Sequence, residues 1–149
     1  MRQQILAVIF SFIVINCFGQ IVTSSFTEFD ECETEMFFVQ VEQKPIFSSD
    51  TTALSGYFNQ LVSRSENLKN FSGKIFLGIV IFEDGRPCCK SFSDLSEVKI
   101  DPIIFKDAVN KMPYWTPAKQ QNIPITFVLN IILQDRKSTR LNSSHITIS

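Results

Sequence analysis

Few side chains in this sequence are equipped for covalent or acid–base chemistry. Its four cysteines are Cys17, Cys32, Cys88 and Cys89, and its single histidine is His145. A serine or cysteine nucleophile needs an imidazole beside it to take its proton, and His145 stands alone in a polar tail. Glu28, Asp30, Glu31, Glu33 and Glu35 form an acidic stretch without a period. That stretch also lacks the Asp/Asn spacing and central glycine of a calcium loop. Glu83 and Asp84 precede Gly85 in a turn signal, not in a paired acid–base arrangement. The expectation is therefore no catalytic residue, no metal, no cofactor and no small-molecule substrate. The chain reads as a binder, not an enzyme.

The cysteines bear on location and on the fold. Residues 1–19 carry Arg2, an apolar run of 14 residues at 5–18, and small residues at Cys17 and Gly19. This is the pattern of a secretory signal peptide, and the run is shorter than the roughly 20 residues that span a bilayer as a helix. An exported protein of the periplasm or cell envelope is expected, with a retained anchor or a lipid on Cys17 as the alternatives. Removal of the signal leaves Cys32, Cys88 and Cys89, an odd number for an oxidising compartment. Cys88 and Cys89 are adjacent on a strand and point to opposite faces. Cys32 therefore joins one of them in a disulfide, or all three stay as packing thiols; the spacing leaves both open.

The elements that would position any site follow from periodicity. With 149 residues, 44% of them hydrophobic, and a formal net charge of −1, the chain suits one packed domain. It offers no basic footprint for nucleic acid. Residues 20–40 read as an acidic lead-in, with a short strand over residues 37–41. Leu54, Tyr57, Phe58, Leu61 and Val62 mark one face of a helix, capped by Ser48, Ser49 or Asp50. Residues 74–82 form a strand with apolar side chains on both faces, and Asp84-Gly85 turns it into an antiparallel return strand from Arg86 to about Ser93. Asp101-Pro102 opens a second helix whose stripe is Ile104, Phe105, Ala108, Val109 and Met112. Pro113 stops it, and a last strand alternates through Ile125, Phe127, Leu129, Ile131 and Leu133. The expected fold is α+β, a three-stranded antiparallel sheet with two helices on one face. Residues 135–149, DRKSTRLNSSHITIS, break the pattern and resemble the in-frame translation of a sequencing-library adapter. The natural terminus is accordingly expected at or soon after Gln134.

This order of elements, over residues 41–134, resembles the TonB C-terminal domain family. Its most specific part is Met112-Pro113-Tyr114-Trp115-Thr116-Pro117-Ala118, followed by Pro124 and the last strand. Family members typically show Met-Pro-x-Trp-x-Pro-Gly and then Pro-Val. Pro45-x-Phe47 before the first helix, Gly73-Lys74-Ile75 entering a strand, and Glu83-Asp84-Gly85 at the hairpin also match. Two prolines hold an extended corner, and Trp115 is read as a packing residue that covers the end of the core. The resemblance implies capture of an extended peptide from an outer-membrane receptor or other envelope protein by strand addition. The accepting edge would be the last strand at Ile125, Phe127, Leu129, Ile131 and Leu133, with a link to TonB-dependent transport. Homodimerisation through the same edge is the competing use. The alternative class is a structural or self-associating envelope protein or lipoprotein without a transport role.

Overall fold

The computed structural model describes residues 25–34, 36–47, 53–68, 71–136 and 145–148. The signal-like start and the residues expected to cap the first helix lie outside them. Among the described residues the elements run β1 (Ser25–Glu28), α1 (Ala53–Arg64), a 3-10 turn (Glu66–Leu68), β2 (Lys74–Ile81), β3 (Pro87–Asp94) and α2 (Pro102–Asn110). The chain then continues as β4 (Ala118–Gln120), β5 (Ile123–Ile125), β6 (Phe127–Arg136) and β7 (His145–Ile148). The architecture is α+β.

Alternation decides which face of β2 meets the helices. Ile75, Leu77, Ile79 and Ile81 are buried in the main core together with Ile131 and Leu133 of β6 and Phe92 of β3. Phe58 and Val62 of α1 and Phe105 and Val109 of α2 pack into that same core, so both helices cover one face of the sheet. The other face carries a smaller cluster of Cys32, Val80 and Cys88, flanked by Phe82 and Val128. This accounts for the apolar residues on both sides of β2. One side serves the helices and the other is closed by the segment after β1.

The α2 cap matches the sequence expectation. Asp101 accepts a hydrogen bond from the Ile103 amide at 3.0 Å, and Pro102 occupies the first turn, where an amide hydrogen is not needed. A phenol joins the two helices: Tyr57 Oη donates to the Ala108 carbonyl at 2.6 Å, and burial raises the Tyr57 pKa. Asp94 is the buried charged residue of the core region. It accepts from the Ser96 amide at 2.8 Å, the Ile100 amide at 3.0 Å and the Ser96 hydroxyl, closing the connection from β3 to α2. These donors stand in for the water that burial removes from the carboxylate oxygens.

The sheet is wider than the three strands expected. Five strands lie in the order β1-β3-β2-β6-β7, all neighbours antiparallel. β1 comes from the acidic lead-in, which was expected to be a solvated segment. It pairs with β3 from Ser25 opposite Asp94 to Glu28 opposite Ser91, covering an edge otherwise open. It carries no hydrophobic period, because Phe26 is 67% exposed and the pairing rests on main-chain groups. β6 runs two residues beyond Gln134, and His145–Ile148 returns against it. A separate two-stranded sheet joins β4 to β5 through Gln121 and Asn122, both at positive φ (50° and 64°). The β2–β3 register shifts between Gly78 and Ile79, marking a β-bulge in β3 at Lys90.

Cys32 and Cys88 form a disulfide across 56 residues of sequence, while Cys89 is a buried free thiol on the helix side. Cys88 and Cys89 thus face opposite sides of the sheet. A disulfide fits an oxidising compartment, and no helix among the described residues is long and apolar enough to cross a membrane. Burial pushes the Cys89 thiol up to about 12, with nearby Lys106 acting in the opposite sense. Because the folded pKa lies above the unfolded value, the neutral thiol's contribution is fully present below about pH 9 and fades as pH rises toward 12. Alkylation by iodoacetamide at pH 8 should therefore spare Cys89 in the native protein and modify it after denaturation without reductant. Native labelling would contradict this burial. Reduction of Cys32–Cys88 should cost about 2–4 kcal/mol, read from the shift in urea midpoint.

Candidate functional site

The last strand is aimed by the corner before it. Pro113 and Pro117 hold residues 113–117 extended, and Trp115 is buried at their centre, 5% exposed. The Trp115 amide donates to the Gly85 carbonyl at 2.8 Å, tying the corner to the β2–β3 turn. Gly85 has φ 86°, and a Cβ there would stand 2.1 Å from the Trp115 carbonyl oxygen. Only glycine fits this contact. On its other side the corner pairs with the lead segment: Thr116 and Ile46 exchange hydrogen bonds of 2.8 and 2.9 Å, and Lys119 and Gln43 do so at 2.9 and 3.1 Å. Pro45 lies between those two bridges. Phe47 packs against Trp115 with ring centroids 5.1 Å apart and against Tyr57 at 5.9 Å.

The residues of the family-like motif therefore converge on one corner, with two exceptions. Gly73 acts at the opposite end of β2, where its φ of 136° brings it against Ser96. Pro124 is exposed in β5, paired with Lys119. Met112 is buried in the main core at the end of α2. Trp115 belongs to that core as well, and its indole nitrogen is buried without a hydrogen-bond partner among the described residues.

From the corner, the β4–β5 hairpin leads into β6, which pairs with β2 along the whole of β2, from Phe127 opposite Ile81 to Gln134 opposite Lys74. The five residues expected to form an accepting edge behave differently from that expectation. Ile125 sits in β5 opposite Ala118. Phe127, Ile131 and Leu133 are buried, and Leu129 packs half-buried against the main core. The border itself belongs to the intervening residues. Thr126 turns its carbonyl and Val128 its amide away from β2, where both bond Phe38 at 3.0 and 3.1 Å. Main-chain groups alternate along a strand, so Asn130 and Ile132 direct theirs outward too. Side-chain hydrophobicity reports which face a residue occupies, and it is silent about which edge its amide serves.

This border is occupied at both ends. Phe38 forms a parallel bridge beside Phe127, in place of the short strand expected over residues 37–41. β7 pairs antiparallel from Leu133 opposite Ile148 to Arg136 opposite His145, with α1 lying against it. Residues 129–132 between them have no outer strand partner among the described residues. Among the described residues no three His, Cys, Asp or Glu side chains gather as a metal-holding group.

Substitutions at two positions probe the corner. Gly85→Ala should destabilise by at least about 1–3 kcal/mol, because it adds a strained φ and a backbone collision. Trp115→Phe should cost far less than Trp115→Ala, for which loss of a large core side chain predicts about 3–5 kcal/mol. A Phe variant as unstable as the Ala variant, in urea unfolding, would mean the indole nitrogen has a partner that matters. No family model matches this chain, and no curated protein or solved structure matches it either.

Proposed function

We propose that this chain is an exported envelope protein with a TonB C-terminal-like domain. In this reading it captures an extended segment of an outer-membrane or envelope protein by strand addition on the outward border of β6, in connection with TonB-dependent transport. The observation that carries the reading is the behaviour of that border toward extended backbone. It takes Phe38 in parallel at one end and β7 antiparallel at the other, and between them the outward amides and carbonyls of Asn130 and Ile132 have no strand partner among the described residues. A border with unpaired donors and acceptors must be covered or used, and main-chain pairing suits a partner whose sequence the site does not read closely. The corner motif supports the same reading, since Gly85, Trp115 and the flanking prolines fix where β6 begins.

A captured strand would meet residues 129–132 and then compete with β7 for residues 133–136. Amide NMR on the mature chain and on a form ending at Arg136 tests this, using synthetic peptides copied from N-terminal segments of outer-membrane receptors. The Val128, Asn130, Ile132 and Gln134 amides should shift, and the shorter form should bind more tightly. N-methylation of alternate peptide residues should abolish binding in one of its two phases only, because just one edge of the peptide faces β6. Shifts confined to α1 and α2, or equal loss with both methylation patterns, would remove the basis for strand addition.

A further inference from the structure

We propose that the strap over residues 36–39 is a second docking surface, independent of capture on β6, for a partner segment combining apolar side chains with lysine or arginine. Met36, Phe37, Phe38 and Val39 are consecutive, and they are 79%, 45%, 45% and 67% exposed. Scattered exposed apolar residues are ordinary, but an unbroken run of four on a folded domain marks a contact surface. The run could not simply fold inward, because the chain around it is held. Cys32 is bonded to Cys88 on one side. Phe38 is bonded to Thr126 and Val128, and Gln43 and Ile46 are bridged to Lys119 and Thr116 on the other. A surface already fixed in place loses little freedom when a partner arrives.

Charge selects the occupant. Of the carboxylates leading into the strap, Glu28 pairs with Lys90 at 3.4 Å and Glu31 pairs with Lys106. Asp30 and Glu33 are exposed and make no ion pair among the described residues. Their field disfavours an anionic membrane surface, which attracts basic segments instead. A second copy related by a two-fold axis through the strap would bring Asp30 and Glu33 toward their own images, and like charges across an interface are costly. A segment with lysine or arginine beside apolar residues satisfies both features at once.

The test uses the full mature chain and two probes, a short peptide alternating lysine and valine and its counterpart alternating glutamate and valine. The lysine peptide should shift the amides of residues 36–39 and Glu33, and raised salt should weaken it. Asp30→Asn with Glu33→Gln, both on exposed side chains, should lower its affinity roughly tenfold, as should Val39→Ser. The glutamate peptide should leave the strap unmoved. Equal binding of both peptides would overturn the proposal, as would shifts restricted to residues 128–134 with the strap silent. So would self-association abolished by Val39→Ser, which assigns the surface to a second copy, or binding to phosphatidylglycerol vesicles in preference to the lysine peptide. Failure here leaves strand capture on β6 intact, because the receptor-segment peptides report on different amides.

Discussion

Trp115 and Gly85 meet through a 2.8 Å backbone hydrogen bond in a space too small for any side chain on the glycine. That contact joins the two halves of the domain. On one side is the β2–β3 hairpin, whose turn the glycine completes; on the other is the corner that sends the chain toward β6. The prolines limit the corner's freedom, but they cannot say where it docks. Docking is set by the glycine, by the indole seated in the core, and by Phe47 packed on the indole's ring. Once the corner is placed, β6 can run beside β2 in full register, and the helices have a continuous apolar face to cover. Any binding property of β6 depends on this junction, although neither Gly85 nor Trp115 lies on its border.

The parts of the fold legible in the sequence are those written in side-chain periodicity or local chemistry. The Asp101-Pro102 start of α2, the turn at Gly85 and the division of Cys88 from Cys89 between two faces all follow from rules within a few residues. The less legible parts depend on main-chain pairing over distance. β1 is too polar and too short to announce itself, and its reason for forming is the open edge of β3, some 60 residues away. The β4–β5 hairpin had a modest signal in Asn122, a residue type that tolerates positive φ, although Gln121 beside it is less usual there. Asp94 gave none, because a lone Asp looks the same whether it caps a connection or points into water.

The same distinction separates the edge expected from the edge found. Alternating Phe127, Leu129, Ile131 and Leu133 correctly mark the face of β6 that meets the helices. The residues between them carry the outward main-chain groups. A strand has two independent alternations, one of side chains between faces and one of amides between neighbours. Only the first is visible in hydropathy. The lead-in is more than a solvated segment: it supplies β1, half of the disulfide and the bridge that closes one end of the β6 border.

The bulge in β3 ties two otherwise unrelated parts together. Cys89 and Phe92 both face the helices although three positions separate them, an arrangement that strict alternation forbids. The additional residue at Lys90 restores the parity. Straightening the strand at its present length would force a choice between the aromatic in the core and the thiol partner for Cys32, whereas deleting Lys90 would remove the bulge and leave Cys88, Cys89 and Phe92 on the faces they now hold. The spacing between Cys88 and Phe92 is therefore coupled to the bulge: the longer spacing needs it and a spacing one residue shorter does not. A change in the number of residues between cysteine and phenylalanine is accordingly expected to come with loss of the bulge, as a single-residue deletion that keeps both side chains on their own faces.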